Sequence, residues 1–220
     1  MMNFGIKVDK QTGSGAYKLT LVSESITPWE NDLVSHDATT KEYVVINSTK
    51  GHLKEAIAAA NKDYTKIKNL KITGEISAQD FYFMRDSMEN LAALNLKEVI
   101  IRGGEQRLTG GAQGVYPHND YEIPYEALRG KKSLNLLVLP DKLTKIGIAA
   151  FADDQNITGS LIIPEGVTEI EVGAFYDCRS MNGTLSLPST LKYLGRGIDL
   201  WWYGGVFTSV SYTHLRAHET

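Results

Sequence analysis

The 220-residue chain has a single cysteine, Cys178. One thiol makes no internal disulfide and builds no cysteine-based zinc site; its expected place is that of a small buried hydrophobe. No apolar run approaches the roughly 20 residues that cross a bilayer as a helix, and the opening MMNFGIKVDK lacks the apolar h-region of a secretory signal. Positive charge is not in excess: the formal net charge is −3. Phosphate binding needs a concentrated basic face, so no nucleic-acid partner is expected.

Catalytic signatures are missing as well. There is no Gly-x-Ser-x-Gly, no helix-opening Gly-Lys-Ser/Thr, no dinucleotide fingerprint and no zinc spacing. A nucleophile needs an adjacent base and an orienting third group, and no such constellation is visible. The adjacent acids Asp153 and Asp154 read as a solvated edge. His118, Asn119 and Asp120 have no second cluster at ligand spacing to complete a metal site. Neither enzymatic activity, nor a cofactor, nor a metal is expected.

What the chain does have is a period. Hydrophobic content is 42% and charged content 22%, ordinary for a folded protein. Leu139-Pro140, Ile163-Pro164 and Leu187-Pro188 stand 24 residues apart. Leu137, Leu161 and Leu185 precede them in the same register; Leu143, Val167 and Leu191 follow, then Ile146, Ile170 and Leu194. Ala150-Phe151 is matched by Ala174-Phe175 and, with one residue deleted, by Ala127-Leu128. Alternating pairs such as Leu137/Leu139 point to one face of a short strand, and proline ends the strand because it cannot donate to a ladder. One turn alone cannot bury its apolar face, so the turns are expected to stack.

The segments VLPDKLTKIG, IIPEGVTEIEVGAFYDC and SLPSTLKYLG resemble the BspA-type leucine-rich repeats of bacterial surface proteins. Pro164, Val167, Ile170, Ala174, Phe175 and Cys178 match the family pattern; Gly147 and Gly195 match its glycine, and Glu171 departs from it. The resemblance implies an α/β repeat fold: a leucine-rich-repeat-like solenoid of 24-residue turns. It also implies a non-enzymatic role in protein–protein binding or adhesion at the cell surface or outside the cell, with a host or bacterial surface protein as partner. After Gly195 the next expected Ala-Phe falls on Ile198-Asp199, and the pattern fails.

Residues 47–122 read as a helix-containing N-terminal cap. Ser77 with Asp80 resembles a capping box, and Phe81, Met84, Met88 and Leu91 then share one helical face. Ile67, Leu70 and Ile72 mark a strand before this helix, and Val99, Ile100 and Ile101 one after it; Ile72 and Ile101 suggest a 29-residue step. A shorter helix is expected over 51–60, burying Leu53, Ile57 and Ala60. Glycine-rich residues 103–122 read as a long loop. Residues 1–46 read as a small β-module: Phe4, Ile6 and Val8 form one stripe, Tyr17, Leu19 and Leu21 another, QTGSG the turn, and Tyr43–Ile46 a third strand.

The expected domains are thus 1–46, 47–122, the repeats at 123–195, and a tail at 196–220. The tail's VSYTHLRAHET resembles the conceptual translation of a sequencing-library adapter, which would leave Tyr212, His214, Arg216 and His218 without an evolved role. The positions expected to face a partner are Leu136, Val138, Ser160, Ile162, Thr184 and Ser186 on the first strands, with Lys145, Glu169 and Tyr193 aligned on the second. Two other readings are a carbohydrate-binding protein, using Trp29, Tyr116 and Tyr121 on a glycan, and a structural spacer.

Overall fold

The computed structural model describes residues 5–10, 17–22, 42–104, 117–195, 206–207 and 214–217. The chain divides into two units, residues 1–32 and 33–220. In the first, β1 (Gly5–Lys10) and β2 (Tyr17–Val22) pair antiparallel, with Ile6 opposite Leu21 and Val8 opposite Leu19. This is the hairpin that the two stripes predict.

The second unit begins with β3 (Val44–Ser48), α1 (Leu53–Ala59), β4 (Asn69–Ile76), α2 (Ala78–Ser87) and β5 (Ala93–Ile101). β3 pairs parallel with β4 rather than with the hairpin, which corrects its grouping with residues 1–46. Its reason is burial: Ile46 lies opposite Ile72, and both are buried in the core. Leu70 pairs with Leu94, and after an irregularity between Lys71 and Thr73, Ile76 pairs with Ile101. The step is therefore 24 to 25 residues, not 29, because the strands align through Leu70 rather than Ile72.

One carboxylate starts both helices. Asp80 Oδ2 accepts from Ser77 N and from Gly51 N, each at 2.8 Å, and Oδ1 accepts from Leu53 N at 2.9 Å. Helix N-termini leave donors unsatisfied, so a buried Asp80 (2% exposed) fastens α1 to α2. Phe81, Met84, Met88 and Leu91 are all fully buried, as their spacing predicts. Leu53 and Ile57 are buried too, but Ala60, expected in that face, is the C-cap and is exposed.

The repeats continue from this sheet. β7 (Leu136–Val138) pairs parallel with β5, Leu137 opposite Leu94. β9 (Leu161–Ile162) and β11 (Thr184–Leu187) form a further parallel ladder, closed by β13 (His214–Ala217) in parallel register with β11. The second short strands make their own parallel ladder: β6 (Glu122–Ile123), β8 (Lys145–Ile146), β10 (Glu169–Ile170) and β12 (Tyr193–Leu194). Lys145 pairs with Glu169, and Glu169 with Tyr193, so the 24-residue period is the sheet register itself.

The third side of each turn carries the aromatics. Phe151 stacks on Phe175 at 5.2 Å between centroids and 15° between planes. Phe175 stacks in turn on Phe207 at 5.5 Å and 9°. Phe175 N donates to Val206 O, just as Phe151 N donates to Ala174 O. Val206-Phe207 therefore takes the next Ala-Phe place, while Ile198-Asp199 lies outside the described residues. Burying a Phe side chain contributes about 1.5–3 kcal/mol, so each ring holds two turns together.

Close approach fixes one glycine. A Cβ on Gly147 would lie 2.6 Å from Ile123 O. Glu171 occupies the equivalent place one turn on, with the same inter-turn hydrogen bond, and turns its carboxylate to Lys145 at 2.7 Å. Gly147→Ala is expected to cost about 1–3 kcal/mol by overpacking, whereas Glu171→Ala should cost less than about 1 kcal/mol. Denaturant melts of the two variants check this contrast.

Candidate binding faces

Strand alternation sorts the repeat side chains by face. Leu137, Leu139, Leu161, Ile163 and Leu185 are at most 6% exposed. Between them Leu136, Val138, Ser160, Thr184 and Ser186 are half-buried on the outer face, and Ile162 is 53% exposed. Ser160 Oγ accepts from Thr184 N at 2.9 Å, so this pair also ties one turn to the next.

The row that Val138 and Ile162 occupy is longer than the repeat spacing suggested. Val45, Lys71, Asn95 and Val138 pair in succession across four strands, and Ile162 pairs with Ser186 beyond them. Val45 is 59% exposed. Lys71 Nζ lies 2.6 Å from Glu98 Oε1 on the same sheet. Sequence reasoning missed Val45, Lys71 and Asn95. Their signal was the period-two pattern of β3, β4 and β5, which places them outside Ile46, Ile72 and Leu94.

On the second ladder Lys145, Glu169 and Tyr193 line up as expected, with Glu122 at the head of the column. Lys145 Nζ lies 3.0 Å from Glu169 Oε2 and 2.7 Å from Glu171 Oε1. Partial burial opposes the charge on Lys145, but the two carboxylates outweigh it and raise its pKa. These charges are engaged within the ladder; Tyr193, 46% exposed, is the side chain most open to a partner.

The remaining candidate groups are engaged by partners within the fold. Cys178 is fully buried, its thiol donates to Phe151 O at 3.0 Å, and burial pushes its pKa well up, away from a reactive thiolate. Asp120 accepts from Gly103 N and Arg102 Nη1, both at 2.8 Å, and Asn119 Nδ2 donates to Glu122 Oε1 at 2.8 Å. Among the described residues no group of three or more His, Cys, Asp or Glu is placed to hold a metal ion. Asp153 and Asp154 are not one solvated edge. Asp153 meets Arg129 at 3.2 Å, whereas Asp154 is fully buried, because its place in the turn is the one Cys178 fills in the next. Trp29 and Tyr116 lie outside the described residues; Tyr121 is half-buried.

Residues 121–198 match the family model described as "BspA type Leucine rich repeat region (6 copies)". Over this stretch, about a third of the chain, the sequence is similar to BspA-type leucine-rich repeats. No curated protein matches the chain. The match begins three residues after His118, and residues 105–116 lie outside the described residues. No helix among the described residues is long and apolar enough to cross a membrane.

His118 pairs with Gly104 in an antiparallel bridge, and its Nε2 faces Arg102 O at 3.2 Å. Its Nδ1 is buried with no hydrogen-bond partner. Desolvation chiefly depresses its pKa; Glu122 nearby opposes this and Lys50 adds to it. With the folded pKa below the unfolded value of about 6.5, the bridge keeps its stability above that pH. It loses stability as pH falls through the folded value, because only the unfolded chain takes the proton readily. Protection of the Gly104 amide, corrected for intrinsic exchange, should therefore fall as the pH drops below about 6.5. It should stay flat in His118→Gln.

Proposed function

We propose that the chain is a non-enzymatic binding module of a bacterial cell-surface or secreted protein. In this reading residues 123–195 are a leucine-rich-repeat solenoid of 24-residue turns. The segment from β3 to β5 caps it on the N-terminal side, and the outer strand face contacts a protein of the host or of another bacterium. Adhesion is the role this assigns.

The observation that carries the reading is Ile162. It is a large aliphatic residue 53% exposed between two neighbours that are 3% and 2% exposed. It continues a row with Val138 at its centre and polar side chains, Asn95 and Ser186, on either side. An apolar centre with a polar rim is the usual anatomy of a protein-binding patch. The contact would be reversible, with no covalent step. The ion-paired second ladder is less available, apart from Tyr193.

Beads coated with the protein, applied to epithelial cells and to immobilised matrix proteins, test this. Ile162→Asp with Val138→Asp should lower binding about tenfold or more with an unchanged thermal midpoint. Glu169→Ala on the other face should bind as the parent does. Equal binding by the outer-face variant would contradict the proposal, and binding that tracks a glycan array instead would favour the carbohydrate reading.

A further inference from the structure

The stack of turns has one column unlike the others. Leu91, Leu134, Ile157 and Met181 occupy equivalent places in successive turns and are all buried. Leu94, Leu137, Leu161 and Leu185 form another such column. In these columns one turn can replace the next at little cost, since volume-conserving aliphatic swaps are well tolerated. A stack built only of such columns has no reason to prefer one turn over the next against the helical segment. The chain also has the slack for such an error. Leu161 and Leu185, paired in neighbouring repeat strands, are 24 residues apart, but Leu94 and Leu137, paired across β5 and β7, are 43 residues apart.

The exceptional column is Met88, Lys131, Asp154 and Cys178. Lys131 is 5% exposed, and its Nζ donates to Met88 O at 2.5 Å and reaches Arg85 O at 3.4 Å. It thereby supplies a cation and a donor to the C-terminal end of α2, where carbonyls lack partners and the helix dipole is negative. Asp154 is 0% exposed; its Oδ1 accepts from Lys131 N at 2.5 Å, and its Oδ2 has no hydrogen-bond partner. Each polar side chain thus reaches back to the turn before it, and the two are not interchangeable.

We propose that Lys131 and Asp154 form a register key, which selects the first repeat turn as the one that docks on α2. A slip by one turn would put the Asp154 carboxylate against the carbonyls of Arg85 and Met88, acceptor against acceptor at the negative end of a helix. It would also remove the Lys131 cap. The cost of the wrong register is concentrated in this one column, as a single buried polar residue sets register in a coiled coil.

Cysteine pairs read the register directly. Adjacent turns lie about 5 Å apart and turns two steps apart about 10 Å, whereas a disulfide needs Cα atoms within about 7 Å. Glu89, Lys132 and Gln155 each follow the column residue by one and occupy equivalent places in three successive turns, the first two exposed and the third half-buried; Cys178 is buried and does not compete. After refolding and oxidation, Glu89→Cys with Lys132→Cys should crosslink in the parent chain, and Glu89→Cys with Gln155→Cys should not. With Lys131→Met and Asp154→Val added, the crosslink between positions 89 and 155 should rise about tenfold. Asp154→Asn, an isosteric change whose amide can donate to Met88 O, should raise it as well, and it decides the matter if the double variant does not fold. A yield between 89 and 155 that stays at the parental level in the variants that fold would overturn the proposal.

Discussion

Parallel strands stand about 4.8 Å apart, and in this chain that spacing is imposed on every side chain of the repeats at once. A residue and its counterpart 24 positions on are stacked directly: Lys145 over Glu169, Leu161 over Leu185, Phe151 over Phe175. The ring centroids of Phe151 and Phe175, 5.2 Å apart, match the strand spacing closely. Like-on-like stacking suits aliphatic and aromatic groups, but would set like charges against each other. Lysine therefore alternates with glutamate in the Glu122, Lys145, Glu169 column, and glycine or a turned-out glutamate stands where backbones approach most closely. The aromatic column, the two strand ladders and the short hydrogen bonds between turns all follow from the same constraint.

Much of this was legible in the sequence, because stacking repeats the same residue type at a fixed step. The inward and outward faces of Leu137/Val138, Leu161/Ile162 and Leu185/Ser186 fell where alternation put them. The alignment of Lys145, Glu169 and Tyr193 did too. The capping signal at Ser77 and Asp80 located the start of α2. What was not legible depends on partners distant in the chain. Nothing local to Asp80 says that its carboxylate also receives the amides of Gly51 and Leu53. Asp154 looks like a surface acid by residue type; only its column, shared with Cys178, buries it. The 29-residue step failed because strand pairing follows Leu70 and Leu94 rather than the nearest isoleucines. Phe207 was missed because extra residues separate it from the last regular turn.

Over the repeats the strand positions that alternation turns outward do lie on the outer face, and the same row extends into the segment before them. The helical segment and the repeats share one parallel sheet through the pairing of β5 with β7. Outward positions therefore run on from Val138 to Asn95, Lys71 and Val45. The interior, in contrast, is where the chain departs from pure repetition. Lys131 and Asp154 spend their polar groups on neighbouring turns and on the end of α2, not on solvent or a substrate. Cys178 is buried as its residue type suggests, and Asp154 is buried although its sequence reads as a solvated edge. The outer row is left as the surface with the least to do inside the fold.

The account rests on turns joined by backbone hydrogen bonds at a fixed step, and amide hydrogen exchange measures those bonds one by one. Gly147, Glu171 and Gly195 each donate to the preceding turn, as do Ala149 and Phe151 to the following one. These amides should be protected at 24-residue intervals and should exchange in one cooperative opening. Protection without that period, or turns that open independently of one another at low free energy, would contradict a single stacked core.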